Sequence, residues 1–294
     1  MGTTGATTNG PLAEGTHQIE FDGVRQVYHV AGNGPVCVAH SGGPGIEWRY
    51  LRMPALEQHL TMVYLEPIGT GASGRLADRR EYRLGTYVDF LHAVVRALGL
   101  PQVHLLGHSH GGFVVQRYAL TYPDRVAGLV LYDTSPVTGA DFWAEATAGV
   151  ADFPRRHPDR PEAAQIPVAF RRAVSATDDE SMTVALRQML PLYFADYWAD
   201  ERRFAPLVTS VRGWADPQRG EEPTPFDVRA RLGEISAPTL VLVGAYDFIC
   251  GPRWAKLLYE GIPGSRLTEL SESGHFGHLE QPELFRRAVV EFVG

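Results

Sequence analysis

Ser109 is the residue whose sequence context most directly indicates covalent chemistry. The motif G-H-S-H-G at 107–111 follows a short apolar segment typical of a strand and precedes a helix-compatible segment, 113–120. Glycines lack a Cβ, so in such a strand–turn–helix they let strand and helix approach closely around a strained turn. The turn lifts the serine hydroxyl clear of the backbone, where a base and a carbonyl carbon can both reach it. The pattern therefore predicts that Ser109 is a nucleophile.

A serine hydroxyl attacks slowly until a base accepts its proton, and the base needs an acid to orient it. The apolar run 238–244 predicts a buried strand that ends shortly before Asp247, and 266–270 predicts another that leads into the loop holding His275. Open α/β sheets place their ligand sites at the carboxyl ends of their strands. We therefore expect Ser109, Asp247 and His275 to converge there as nucleophile, acid and base.

Two other residues compete for these roles. Among the eleven histidines, His110 flanks the nucleophile and would line the same pocket. However, the turn directs neighbouring side chains away from the serine hydroxyl, which favours His275 as the base. For the acid, Asp133 at the end of the predicted strand 126–132 is the alternative to Asp247.

The oxyanion that develops during acyl transfer needs two backbone N–H groups near the nucleophile. One would come from His110, the residue after the nucleophile. The other fits the loop S-G-G-P-G at 41–45, whose adjacent glycines keep side chains away from a substrate. Gly43 is the first candidate and Gly42 the reserve. Chemistry of this kind requires neither a metal nor a cofactor.

Strands and helices alternate along most of the chain, which predicts a mostly parallel, doubly wound α/β sheet after an antiparallel start. The region 137–232 breaks the alternation, because it is rich in helix formers and has no convincing buried strand. It predicts a helical cap inserted into a core of residues 17–136 and 233–294, and residues 1–16 are predicted to be a disordered tail. The predicted strands are His17–Phe21, Arg25–Ala31 and segments near Val36, Met62, His104, Gly128, Leu240 and Leu267, and the predicted core helices are 84–98, 111–122, 252–260 and 281–293.

Composition restricts the partners and the location of the protein. The 294 residues are 44% hydrophobic and 21% charged, as in ordinary globular proteins, and the formal net charge is −7. This charge argues against binding to nucleic acid or an anionic membrane, and no apolar run reaches transmembrane length. Cys37 and Cys250 do not make a disulfide framework, so we expect two free thiols. The resulting expectation is a cytoplasmic monomer or homodimer that binds a small-molecule substrate.

The chain also resembles the proline-iminopeptidase-like branch of the α/β-hydrolase superfamily over residues 17–294. The resemblance implies the α/β-hydrolase fold and a Ser–Asp–His triad. Two positions depart from that branch: His110 replaces a tryptophan, and Glu66-Pro67-Ile68 replaces Asp-Gln-Arg. These departures argue against peptidase activity while leaving the hydrolase chemistry intact. The matching motifs, in chain order, are S-G-G-P-G at 41–45, G-T-G-A-S at 69–73, G-H-S-H-G-G at 107–112, G-A-Y-D at 244–247 and S-G-H at 273–275.

The predicted cap should select the substrate. Its many aromatic residues indicate mainly packing, together with a roomy apolar site. Asp196 and Asp200 are four positions apart and would share one helix face. A solvent-exposed face is the first interpretation of this pair, and an acidic patch for a substrate amine is the alternative.

Together these patterns predict a serine hydrolase that works through an acyl-enzyme. Its substrate would be a carboxylic ester or lactone of a bulky, apolar small molecule, such as a macrolide-type natural product or antibiotic. Two alternatives stay open. One is an aminopeptidase that releases N-terminal proline, and the other is a ligand receptor on the same fold that turns over little.

Overall fold

An eight-stranded sheet forms the centre of the molecule. The computed structural model describes residues 10–222 and 224–294. The strands pair in the order β1-β2-β4-β3-β5-β6-β7-β8. The β1–β2 and β2–β4 pairs are antiparallel and the remaining pairs are parallel, which confirms the predicted mostly parallel sheet with an antiparallel start. The strands are β1 Gly15–Phe21, β2 Val24–Ala31, β3 Val36–His40, β4 Thr61–Glu66, β5 Val103–His108, β6 Val126–Tyr132, β7 Thr239–Gly244 and β8 Arg266–Leu270.

Ten α-helices accompany the sheet in the part of the chain that the structure describes. The four predicted core helices are present as α2, α3, α8 and α10. The helices are α1 Pro54–Glu57, α2 Leu84–Ala97, α3 His110–Thr121, α4 Ala140–Arg156, α5 Ile166–Ser175, α6 Asp179–Met189, α7 Glu201–Ser210, α8 Pro252–Gly261, α9 Gly277–Glu280 and α10 Pro282–Val293.

Helices cover both faces of the sheet, and this explains why its central strands are continuous apolar runs. Successive side chains of a strand point to opposite faces. In β7, Val241 packs into a hydrophobic cluster with α2, α3 and α8, whereas Leu242 packs into a second cluster with α1 and α10. Every residue of β7 is buried. Because both faces exclude water, alternation between polar and apolar residues is lost.

Between β6 and β7 the chain makes a helical insertion instead of a single crossover helix. The insertion holds α4 to α7 and several 3-10 turns, and its described residues form no strand. An isolated bridge between Ile46 and Gly213 ties it to the loop after β3. The predicted helical insertion is therefore confirmed, whereas its exact limits at 137 and 232 stay a prediction.

The N-terminal boundary differs from the prediction. Gly15 pairs with Val30 and Thr16 with His29, so these two residues belong to β1 and not to a tail of residues 1–16. The β1–β2 hairpin extends this far because its antiparallel register continues from the turn to the end of β2. Residues 1–9 of the predicted tail lie outside the described residues.

Two expectations from composition concern the thiols and membranes. Cys37 and Cys250 are both free and buried. Burial raises the pKa of Cys37 to about 12, which keeps that thiol protonated and a poor nucleophile. Among the described helices, none combines the length and the apolar character that a membrane span requires.

Candidate active site

The turn after β5 places Ser109 at the carboxyl end of the sheet. The φ angle of Ser109 is 54°, in the left-handed region that side-chain-bearing residues rarely adopt. Close packing explains the glycines on either side. A Cβ on Gly107 would lie 2.5 Å from the carbonyl oxygen of Gly111, and a Cβ on Gly111 would lie 2.1 Å from that of His40. Side chains at either position would push β3, β5 and α3 apart, so the strained turn depends on both glycines.

Asp247 and His275 form a hydrogen-bonded pair beside this turn. Oδ1 of Asp247 accepts hydrogen bonds from the backbone N–H groups of Ile249 (2.9 Å) and Cys250 (3.1 Å). Oδ2 of Asp247 lies 2.7 Å from Nδ1 of His275. A carboxylate only accepts, so we assign the proton to Nδ1, which leaves a lone pair on Nε2. Because Ser109 and His275 line the same cavity, the three side chains predicted to converge are brought together.

The loop after β3 and the first turn of α3 bring backbone N–H groups close to Ser109. The N–H of Gly42 is already used, because it donates to the hydroxyl of Tyr50 at 2.6 Å. The N–H of Gly43 has no acceptor among the described residues. His110 is the first residue of α3, so the helix cannot use its N–H. Gly43, His110 and Ser109 line one cleft, and the geometry thus favours Gly43 over Gly42.

Comparison with known proteins identifies the family. Residues 34–282 match the family model described as alpha/beta hydrolase fold. The chain belongs to this family. The predicted resemblance and the predicted fold are therefore confirmed, and the protein is a hydrolase of the α/β fold family.

The relatives of this hydrolase differ in the reactions that their names describe. Proline iminopeptidase of Heyndrickxia coagulans is 26% identical over 273 residues, which are 89% of this chain and 91% of that protein. The 2-hydroxy-6-oxononadienedioate/2-hydroxy-6-oxononatrienedioate hydrolase of Paraburkholderia xenovorans strain LB400 is 28% identical over 286 residues, covering 93% of this chain and 92% of that protein. The crystal structure of esterase RhEst1 from Rhodococcus sp. ECU1013 matches with a TM-score of 0.74 at 20% identity, covering 94% of this chain and 97% of that one.

In the hydrolase, a chain of hydrogen bonds joins the loop after β3 to the loop that holds His275. The hydroxyl of Tyr50, which accepts from Gly42, lies 2.7 Å from Nδ1 of His108, and Nε2 of His108 lies 2.9 Å from the carbonyl oxygen of His275. A carbonyl only accepts, so Nε2 donates and Nδ1 accepts the hydroxyl proton. Burial lowers the pKa of His108 well below its ordinary value and keeps the ring neutral. Sequence reasoning gave Tyr50 and His108 no role, since nothing local signals a contact between residues 58 positions apart.

Asp133, the alternative acid, lies at the same sheet edge but makes different contacts. It is fully buried, and its Oδ1 accepts a hydrogen bond of 2.8 Å from the N–H of Gly244. Burial, followed by the neighbouring carboxyl of Asp247, raises the pKa of Asp133 well above its ordinary value. Both effects favour a neutral carboxyl, whereas the partner of an imidazolium must be ionised. The contact with the His275 ring is made by Asp247.

A possible metal site overlaps this region. His108, Asp133 and His275 each offer a ligand-type atom, and these atoms lie within 4.8 Å of one another. Both ring nitrogens of His108 and Nδ1 of His275 already have hydrogen-bond partners in the protein. A metal ion would have to replace these bonds, so the donor set fits a hydrogen-bonded network better than coordination.

The ring of His110, the competing base, is half-buried and packs against other aromatic rings. Its centroid lies 5.1 Å from that of Tyr87 and 6.4 Å from that of His40. Burial, together with the nearby His40, lowers the pKa of His110 to about 3. Such a ring accepts protons poorly at neutral pH, which argues against His110 as the base.

The acidic pair of the insertion is not on one helix face, and that prediction is wrong. Asp196 caps the 3-10 helix Tyr197–Asp200, accepting a hydrogen bond of 3.2 Å from the N–H of Ala199, and Asp200 is the residue before α7. The 3-10 turn breaks the helical spacing. Both side chains are exposed, and neither lines a cavity that contains Ser109.

Two cavities meet at Ser109. The first, here called the small cavity, has a volume of about 60 Å³, and His275 is part of its wall. The second, here called the cleft, has a volume of about 570 Å³, and His110 is part of its wall. Gly43, Ser109 and Ile249 line both. The small cavity also takes aliphatic side chains from Ile46, Leu186, Leu190, Leu207 and Val211 and aromatic ones from Tyr50, Tyr193 and Phe276, and the cleft takes aromatic side chains from Phe113, Phe142, Trp143 and Phe226.

The insertion also holds the loop of His275 through backbone hydrogen bonds. The N–H of His275 donates to the carbonyl of Tyr193 at 2.7 Å. The carboxyl of Glu280 accepts from the N–H groups of Ala195 (2.8 Å) and Gly274 (2.7 Å), and so joins the insertion to this loop. Burial raises the pKa of Glu280 to about 7. Sequence reasoning missed Glu280, because a lone glutamate at a helix end resembles an ordinary surface residue.

Proposed function

We propose that the protein is a serine hydrolase that cleaves a carboxylic ester or lactone of a bulky, apolar small molecule. Ser109 is the nucleophile, His275 the base, and Asp247 the acid that stabilises the imidazolium. The N–H groups of Gly43 and His110 stabilise the oxyanion. The observation that carries this proposal is the 2.7 Å hydrogen bond between Asp247 and His275, beside a cavity that Ser109 also lines.

The reaction needs one substrate and water. The hydroxyl oxygen of Ser109 bonds to the carbonyl carbon while its proton moves to Nε2 of His275. Collapse of the tetrahedral intermediate breaks the bond to the leaving oxygen, which takes the proton from His275 as the acyl-enzyme forms. Water then attacks the acyl-enzyme and gives a proton to His275. Return of that proton to Ser109 releases the carboxylic acid.

The walls of both cavities favour a neutral substrate over a dicarboxylate. The 28% identical relative is named for hydrolysis of a dienedioate. In the present protein, none of the described residues that line the small cavity or the cleft is arginine or lysine. Burying two carboxylates without a cationic partner is costly. An uncharged ester or lactone therefore fits these cavities better.

An aminopeptidase is the second candidate, and one residue favours it. Glu222 lines the cleft, and its carboxyl accepts a hydrogen bond from the backbone N–H of Leu84. A carboxylate in this position could also pair with the free amine of an N-terminal residue. The 26% identity to a proline iminopeptidase is consistent with this alternative.

The test compares two methyl esters with an amide whose leaving group is equally small, and with the dienedioate. Acid release is measured from methyl nonanoate and methyl hydrocinnamate, ammonia release from L-prolinamide, and turnover from the dienedioate named above. We expect kcat/KM for the methyl esters to exceed the other values by about tenfold or more. Ser109→Ala is the control in every arm. A preference for L-prolinamide would support the aminopeptidase, and no turnover in any arm would support the low-turnover receptor.

A further inference from the structure

The two cavities at Ser109 are lined by different parts of the proposed catalytic machinery. The small cavity is lined by His275 and not by His110, whereas the cleft is lined by His110 and not by His275. Their volumes differ by almost an order of magnitude, about 60 Å³ against about 570 Å³. A substrate bound at Ser109 therefore contacts two cavities that differ in volume and in lining residues.

The geometry of the tetrahedral intermediate determines which half of an ester enters which cavity. The tetrahedral carbon on Ser109 carries an oxyanion, a leaving oxygen and the acyl substituent. The oxyanion points to the N–H groups of Gly43 and His110, while the leaving oxygen must lie within hydrogen-bond reach of Nε2 of His275. The side of the intermediate that faces His275 is the side of the small cavity. The acyl substituent is left with the remaining direction, which leads into the cleft.

We infer that the small cavity holds the leaving alcohol and the cleft holds the acyl group, so the substrates are esters of bulky acids with small apolar alcohols. This inference rests on the proposed function. The small cavity offers about 60 Å³ against about 570 Å³ in the cleft, so it favours a short alkoxy group over a long one. Macrocyclic lactones, whose leaving oxygen carries the rest of the ring, are disfavoured.

The residues that line the two cavities are consistent with this assignment of alcohol and acyl group. Leu186, Leu190 and Leu207 line the small cavity from the insertion and offer an alcohol aliphatic contacts, beside the aromatic rings of Tyr193 and Phe276. The cleft instead reaches the surface, where Trp143 keeps 51% of its area exposed. A long acyl chain can extend along the cleft.

Two isomeric esters test the division with equal atom content. Methyl nonanoate places its long chain on the acid, and octyl acetate places it on the alcohol. We expect kcat/KM, measured by acid release, to favour methyl nonanoate by about tenfold or more. Equal or reversed preference would overturn the inference while leaving the proposed function standing. If neither isomer nor methyl hydrocinnamate were hydrolysed, the proposed function would fail, and the inference with it.

Enlarging the small cavity provides the second test. Leu207→Ala should raise the ratio of octyl acetate to methyl nonanoate turnover by about tenfold, because it removes part of the wall. A ratio measured within one preparation is insensitive to partial loss of folded protein, and Leu207→Val is a milder variant. Val174→Ala, at a position 67% exposed on α5, is the matched control and should leave the ratio unchanged. An unchanged ratio in both Leu207 variants would overturn the assignment.

Discussion

The strand ends and the helical insertion contribute to the active site in different ways. Ser109, Asp247 and His275 come from loops after β5, β7 and β8, and a buried network of backbone and side-chain hydrogen bonds holds them. The insertion reaches this group through backbone atoms such as the carbonyl of Tyr193, and it supplies side chains to the cavity walls. In the proposed function, the strand ends supply the reacting groups, whereas the insertion restricts which molecule can reach them.

The largest expected effect concerns the strand end of β5. Ser109→Ala should lower kcat by about 10³–10⁶-fold while the protein keeps its fold, because it removes the proposed nucleophile. A fluorophosphonate should label the wild type at Ser109 alone, as mass spectrometry of the labelled peptide can check. Hydrolysis retained by the alanine variant would contradict the assignment of Ser109 as the nucleophile, and with it the proposed role of the strand ends.

The next effect separates the two acids at the strand ends. Asp247→Asn should cost about 10⁴-fold in kcat, since an amide cannot stabilise the imidazolium and favours the wrong histidine tautomer. Asp133→Asn should change kcat little, because asparagine has the shape of the neutral carboxyl that burial favours at Asp133. The two variants are matched controls for each other. If Asp133→Asn lowered kcat more than Asp247→Asn does, Asp133 would be the acid of the triad.

The strand-end region should also make the fold sensitive to acid. Burial lowers the pKa of His40 and of His278 to about 4 and that of His110 to about 3, and that of His108 also falls well below its ordinary value. A lowered histidine pKa contributes stability above the unfolded value of about 6.5 and loses it as the pH falls through the folded value. These four residues should therefore take up protons on unfolding in acid.

Two carboxyl groups oppose this trend. Glu280, whose pKa is raised to about 7, and Asp133, whose pKa is also raised, bind protons better in the folded state. Their stabilisation is present at low pH and is lost as the pH rises. Because these four histidines outnumber the two carboxyl groups, we expect the free energy of unfolding to fall as the pH falls below 6. Urea unfolding at pH 7.5, 6 and 5 measures this slope. A free energy of unfolding that stays constant or rises toward pH 5 would contradict it.

The smallest effect is expected in the insertion. Replacing Asp196 and Asp200 with asparagine should leave kcat/KM almost unchanged for neutral esters and for L-prolinamide alike, because both side chains are exposed and line neither cavity at Ser109. Exposed carboxylates contribute little to binding at a distance. A selective loss of about tenfold for L-prolinamide alone would restore the amine-site interpretation and extend the site beyond the two cavities.

Much of the sheet could be predicted because its strands are buried on both faces. β6 and β7 are almost wholly apolar, β5 is interrupted by His104, and the polar residues Ser109 and Asp133 directly follow β5 and β6. The insertion could be recognised only as helical. Its Asp196–Asp200 segment forms a 3-10 turn between two caps, and no periodicity in the sequence distinguishes that turn from an α-helix.

By itself, the sequence predicted the fold class and the candidate residues Ser109, Asp247 and His275, because each follows a strand whose pattern is local. The tertiary structure adds the hydrogen bonds that favour Asp247 over Asp133 and Gly43 over Gly42, and these bonds join residues distant in the chain. The tertiary structure likewise decided the unequal sizes of the two cavities. A cavity is the space left between elements after packing, so no single segment of the sequence encodes its volume.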